Sequence, residues 1–338
     1  MEKKLKKRTI VVFLLLTVLV IAAFLVNILV GNVRISPVDI LNVFTGRSDD
    51  IKIINIVKTI RLPRAVMALV LGGALAVSGF LLQTYFANPI AGPYILGISS
   101  GAKMVVALTL IFLAGKTGRV SGLVLVFAAF VGAITATGFI IMISKKVRSM
   151  SALLAAGIMI GYICSALTDF LVTFAEDSDI VNLHSWSQGS FSGANAEGAI
   201  FSVVIVGVTF IAVILFSKTL DAFRLGESYA RSVGVNVKLC RIAIIILSGI
   251  LSACVTAFAG PVSFIGIAVP YLMREVLKSS KPILLIPASF LSGAVFCMLS
   301  DLLARMLFAP TEMNISAVTS LFGAPIVIFM IIKRGKNR

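Results

Sequence analysis

The residues able to do chemistry are few and scattered. The single histidine, His184, stands in the polar stretch 175–195 with no second ligand nearby, so it reads as a solvated loop side chain and not a metal site. Cys164, Cys240, Cys254 and Cys297 are widely separated, none at CxxC spacing, and all lie in or at the ends of apolar runs. They read as small buried hydrophobes, with no disulfide framework or metal site. Gly115-Lys116-Thr117 matches the end of a phosphate-binding loop, but the first glycine of that motif would fall at Leu110. No catalytic constellation is present, and the chain is expected to bind no cofactor of its own. Charges deep inside apolar runs, the usual mark of ion-coupled transport, are few: Lys103, Asp169, Asp301 and Arg305. Asp301 and Arg305, spaced i, i+4, can pair on one helix face. No series of carboxylates crosses the midplane, which disfavours a proton or sodium pump.

Three other segments stand out. In Arg61-Leu62-Pro63-Arg64 two arginines flank a proline suited to a first helical turn. Such arginines project at the membrane surface, as interface anchors or as a seat for an acidic partner, since guanidinium pairs well with carboxylate. Asn88-Pro89-Ile90-Ala91-Gly92-Pro93, followed by LGISSGA (96–102), implies broken helix and close backbone packing. The polar loop 217–238 contains LGESYARSVG. This can form a short amphipathic helix with Tyr229, Ala230 and Val233 on one side and Glu227 and Arg231 toward solvent. That helix would lie on anionic headgroups or dock in a groove of a cytoplasmic protein.

The elements that must position these residues follow from composition. Of 338 residues, 59% are hydrophobic and 13% charged, and mean hydropathy is +1.08. At about 20 apolar residues per crossing, this is material for roughly ten crossings. It excludes a soluble enzyme, a secreted disulfide scaffold and a nucleic-acid-binding domain, despite the net charge of +16. The runs are continuous and do not alternate, so they are helices and not a barrel. They fall at 9–30, 65–86, 94–114, 121–143, 150–174, 196–216, 239–259, 264–277, 283–306 and 316–332, the third and eighth being the weakest. The first, after MEKKLKKR, lacks a small-x-small cleavage site and reads as a retained span.

Both termini are basic, which places both in the cytoplasm and makes the span number even. With ten spans, twenty of the thirty basic residues fall inside, among them Lys145, Lys146, Arg148, Lys218 and Arg274. Nine fall outside, among them Arg61, Arg64, Lys116, Arg119 and Arg305. An eight-span reading without the third and eighth runs would put the 145–148 cluster outside. The expectation is an all-α polytopic membrane protein of ten helices forming one domain over 1–338. Gly97-xxx-Gly101, Gly157-xxx-Gly161 and GGALAVSG (72–79) supply small-residue faces for a tight bundle.

Several segments together resemble the iron-siderophore and vitamin B12 (FecCD-type) permease family of ABC importers. They are RLPR (61–64), GGALAVSGFLLQ (72–83), NPIAGPYILGISSGA (88–102), HSWSQGSFSG (184–193), LGESYARSVG (225–234), GPVSFIGIAVPYLMR (260–274), SGAVFCMLSDLLAR (292–305) and LFGAPIVIF (321–329). The resemblance implies a vitamin B12 permease-like bundle in a bacterial inner (plasma) membrane. Its second permease subunit would enclose a path between the two, lined or packed around Gln83, Asn88, Pro89, Gly97 and Gly101. Two ATP-binding subunits carrying ATP and magnesium would dock through Leu225, Gly226, Glu227, Ala230 and Gly234. An extracytoplasmic substrate-binding protein would meet Arg61, Arg64 and Arg305. A ferric siderophore is the expected cargo, with heme or cobalamin the alternative. Membrane lipid is the remaining partner, and nucleic acid is not expected.

Two departures from the family pattern stand in the chain. Pro270-Tyr271 replaces the usual Pro-His before Arg274, and Glu312-Met313-Asn314-Ile315-Ser316 lacks the usual proline and glycine of Glu-x-Pro-x-Gly. They favour a heterodimer. An ion-coupled secondary transporter, or a membrane anchor without transport, are the readings from other classes.

Overall fold

The computed structural model describes residues 2–114, 120–147 and 149–336. Gly115-Lys116-Thr117, Arg119, Arg148 and Arg338 lie outside the described residues. Fifteen α-helices carry the described chain, and no strand occurs among the described residues. They are α1 (Glu2–Leu29), α2 (Pro37–Thr45), α3 (Ile51–Asn55), α4 (Leu62–Tyr85), α5 (Ile98–Thr109), α6 (Gly122–Lys146), α7 (Met150–Val172) and α8 (Asp177–Ser187). There follow α9 (Ala196–Leu215), α10 (Ser217–Phe223), α11 (Glu227–Ser232), α12 (Val237–Ala259), α13 (Ile265–Leu277), α14 (Pro282–Met306) and α15 (Ile315–Lys336).

Among the described residues eight helical segments are long and apolar enough to cross a membrane. The third and eighth of the ten expected runs form the shorter α5 and α13, which fall below that length. The protein is a multi-pass membrane bundle.

Its axis is α4, about 36 Å long at 1.5 Å per residue and buried along nearly its whole length. Its small and apolar residues let other helices, and not lipid, cover it on every side. Helices α1, α9, α12, α13 and α14 surround it. Small residues set how near they come. Gly72 faces Gly293 and Cys297, and Gly73 faces Phe290, so α14 runs antiparallel to α4. A Cβ on Gly79 would drive into the backbone carbonyl of Gly266 at the start of α13. In lipid such backbone contact replaces the hydrophobic driving force that holds soluble helices together. The GGALAVSG run is therefore the packing seam of the bundle.

Helices α5, α6 and α7 form a second layer. The Asn88–Gly97 stretch enters it as broken helix: Asn88 Oδ1 accepts from the Ile90 amide at 3.2 Å, and a 3₁₀ turn at Pro93–Leu96 ends at Gly97 in the left-handed region. Gly97 lies against Gly157 and Gly161, and Gly101 against Gly132 and Ala136. Side chains cap several helix starts, among them Ser36 for α2, Ser149 for α7, Asn195 for α9 and Asn236 for α12.

All four cysteines are buried and unbridged. His184 lies exposed on α8, a short helix where a loop was expected, 3.5 Å from Gln188.

Candidate functional site

Two clusters occupy opposite ends of the bundle, separated by the length of α4. The first gathers Arg61, Arg64 and Arg305. The sequence reading had Arg61 and Arg64 projecting at the surface and Arg305 paired with Asp301; the three are 4%, 7% and 6% exposed. The reason is electrostatic. Arg64 binds Asp301 through Nε and Nη2 at 2.9–3.1 Å and Glu312 through Nη1 and Nη2 at 3.0 and 3.1 Å. Arg61 turns to the end of α1, donating to the Ile28 and Leu29 carbonyls at 2.8 and 2.9 Å and to the Val33 carbonyl. Gly31 leaves the room, since a Cβ there would stand 2.8 Å from Arg61 Nη2.

Arg305 Nη2 donates to the Asn27 carbonyl and to its Oδ1, while Arg305 Nε stays 3.9 Å from Asp301. Asn27 is itself fixed by donating to Ala23 and Met298 carbonyls. Two of the arginines thus cap carbonyls that the last turn of α1 leaves without partners, where the helix dipole is negative. The third bridges α4, α14 and the 309–314 turn. The pair expected from spacing, Asp301 with Arg305, exists only as a long contact; Arg64 is the closer partner of Asp301. Asn27 and Glu312 completed the cluster without a signal in local spacing.

The second cluster is the 225–234 segment. Gly226 and Gly234 have φ of 115° and 85°, backbone that only glycine adopts readily, and they bracket the single-turn helix α11. Ala230 is fully buried and seats α11 on the bundle. Tyr229 and Val233, expected on the same side as Ala230, are turned away from it and stand 48% and 52% exposed, with Leu225 at 55%. Tyr229 on α11, with Leu225 and Val233 just beyond its two ends, leaves an uncovered apolar rim. Glu227, expected toward solvent, pairs with Arg241 of α12, with Nε to Oε1 at 2.8 Å. Just before this segment, Phe223 of α10 stacks on Tyr85 at the end of α4, with ring centroids 6.2 Å apart and planes 5° from parallel. This contact joins α10 to the end of the central helix.

Beside this contact is a cavity of about 510 Å³, lined by Gln83, Pro89, Arg224, Tyr271, Glu275 and Lys333 among others. Gln83 is 1% exposed and donates to the Ile267 carbonyl at 3.0 Å, tying α4 to α13. Arg274 stands 5.6 Å over the Phe80 ring.

Between the two ends, Asn88 and Gly97 line a separate opening of about 420 Å³ with Gly157, Gly161, Tyr162 and Ser165. Sequence reasoning singled out Asp169 but not Tyr162 and Ser165, which stand exposed with it on the outward face of α7. Their i, i+3, i+7 spacing on a helix facing away from the core was the available signal. Among the described residues no group of histidine, cysteine and carboxylate side chains could hold a metal ion.

The whole chain has relatives. A profile of the FecCD transport family matches residues 18–333. The vitamin B12 import system permease protein BtuC of Salmonella typhi is 33% identical over 331 residues, covering 98% of each chain. Its namesake in Citrobacter koseri is 33% identical over 318 residues, covering 94% of this chain and 93% of that one. Among solved structures, a metal-chelate type ABC transporter in an inward-facing conformation superposes with a TM-score of 0.84 at 27% identity, over 96% of this chain and 99% of that chain. PsaBC from Streptococcus pneumoniae, at a TM-score of 0.52 and 15% identity over 86% and 94% of the two chains, shares the fold alone. The match to the profile and to full-length relatives leaves one conclusion: this chain belongs to the FecCD transport family.

Proposed function

We propose that the chain is the permease subunit of an ATP-driven importer for a metal chelate, a ferric siderophore in the first reading. The observation that carries it is the pairing of an exposed apolar rim on α11 with the Tyr85–Phe223 stack, a docking surface joined to the central helix. In this reading the 217–238 end is cytoplasmic, and two ATP-binding subunits cover Leu225, Gly226, Glu227, Ala230 and Gly234. They hold the ATP and magnesium, and their closure pushes α10–α11 against α4. The chain itself performs no hydrolysis.

The opposite end receives the extracytoplasmic binding protein. Arg61, Arg64 and Arg305 are buried there, so they act by shaping and charging the surface above them; Glu312, with its side chain 35% exposed, is the member nearest to solvent. The outward face of α7 supports a second permease subunit. Tyr162, Ser165 and Asp169 are polar groups that lipid would leave unpaired, and intramembrane carboxylates turn to protein or water. The changed 312–316 turn favours a non-identical partner. A cobalamin cargo is the second reading, favoured by the names of the 33%-identical relatives.

Uptake into proteoliposomes holding the assembled transporter and its binding protein tests the cargo. Uptake of an iron-55 siderophore and not of cobalt-57 cobalamin is expected. Cobalamin uptake alone replaces the first reading with the second, and uptake driven by an ion gradient without ATP overturns both.

A further inference from the structure

A cavity of about 820 Å³ opens between the end of α6, helix α11 and the start of α12. Its walls hold four cations, Lys145, Arg231, Lys238 and Arg241, and one carboxylate, Glu227. Glu227 is already bonded to Arg241. Among the described residues Lys145, Arg231 and Lys238 have no acidic partner, which leaves three uncompensated charges around one opening. Further along the two helices, α6 and α12 meet closely where Gly249 lies against the Thr137 side chain.

Two features favour a lipid over a free anion. The lining includes Val147, Val237 and Ile242, so the charged opening has an apolar flank. Toward the middle of the bundle the adjoining turns expose Phe139 and Met142 on α6 and Leu239 and Ile246 on α12. These are positions that acyl chains would cover. Basic pockets between membrane helices with apolar surface above them suit phosphate headgroups.

We propose that this cavity binds an anionic phospholipid, its phosphate held by Lys145, Arg231 and Lys238 and its acyl chains along α6 and α12. Because Arg231 belongs to α11, an occupied site ties that helix to α6 and α12. The proposal stands on the cavity and its charges and does not depend on what docks on the α11 rim.

Native mass spectrometry of the purified full-length chain, titrated with cardiolipin or with phosphatidylcholine, tests it. Retention of cardiolipin in preference to phosphatidylcholine is expected. The Lys145→Gln/Lys238→Gln variant should bind cardiolipin about 30-fold more weakly, from the usual contribution of two basic side chains near a headgroup. A Lys278→Gln/Lys281→Gln variant, altered at another basic turn, should match the parent, and an unchanged melting temperature shows that the cavity variant is folded. Equal retention by the cavity variant overturns the proposal. So does displacement of cardiolipin by millimolar inorganic phosphate, which would mark a free-anion site.

Discussion

The two ends of the bundle use basic residues in opposite ways. At one end Arg61, Arg64 and Arg305 are buried and engaged by Asp301, Glu312 and the carbonyls closing α1. At the other, Lys145, Arg231 and Lys238 stand exposed beside the apolar rim of Leu225, Tyr229 and Val233. A buried charge is tolerated only when its partner is built in; an exposed one costs little and stays available. The first end is thus a fastening among α1, α4 and α14, and the second is a surface awaiting other molecules. Arginine in a membrane protein signals neither role until its partners are known.

The contrast predicts where substitutions will hurt. Arg64→Ala leaves Asp301 buried without its main partner and should cost about 3–5 kcal/mol. Thermal unfolding in detergent would read this, with much of the loss recovered in Arg64→Ala/Asp301→Ala. An unchanged melting temperature would remove the fastening from the account. Gly79→Ala puts a methyl into the Gly266 carbonyl and should destabilise by about 2–3 kcal/mol, in the range of overpacked cores, seen as a lower melting temperature and yield. Glu312→Gln should cost only about 1 kcal/mol, because Asp301 still holds Arg64 and Glu312 is partly exposed. A penalty as large as that of Arg64→Ala would show that the 309–314 turn is part of the fastening itself. Tyr229→Asp should change stability by less than about 0.5 kcal/mol, as expected of an exposed position, yet abolish co-purification of the ATP-binding subunits. Retained binding would remove the α11 rim as the docking surface.

Much of this was legible in the sequence, and the remainder fails for identifiable reasons. Continuous apolar runs implied helices, and the Gly/Ala-rich 72–79 segment marked the tightest packing, because lipid offers no other route to close contact. The arginine partners were not legible. Arg64 meets Asp301 across 237 residues and Glu312 across 248, and Arg305 meets Asn27 across 278. Only i, i+4 pairs can be read locally, so Asp301–Arg305 was noticed first although it is the weaker contact. The orientation of α11 was misjudged because six residues do not define an amphipathic face. Two positive-φ glycines and one buried alanine set its rotation, and those are tertiary facts. The short α5 and α13 were the weakest runs for the same reason that they are short: glycine, serine and proline break them at Gly97 and around 260–264.

The central claim is that ATP-driven movement enters through α11 and reaches α4. ATP-dependent uptake of a labelled metal chelate by proteoliposomes, compared between the parent complex and one assembled with Tyr229→Asp, tests it most directly. The parent should transport with ATP and ignore a protonophore, and the variant should be folded but inactive. Uptake that persists in the variant, or that collapses with the protonophore and not with ATP removal, would contradict the account.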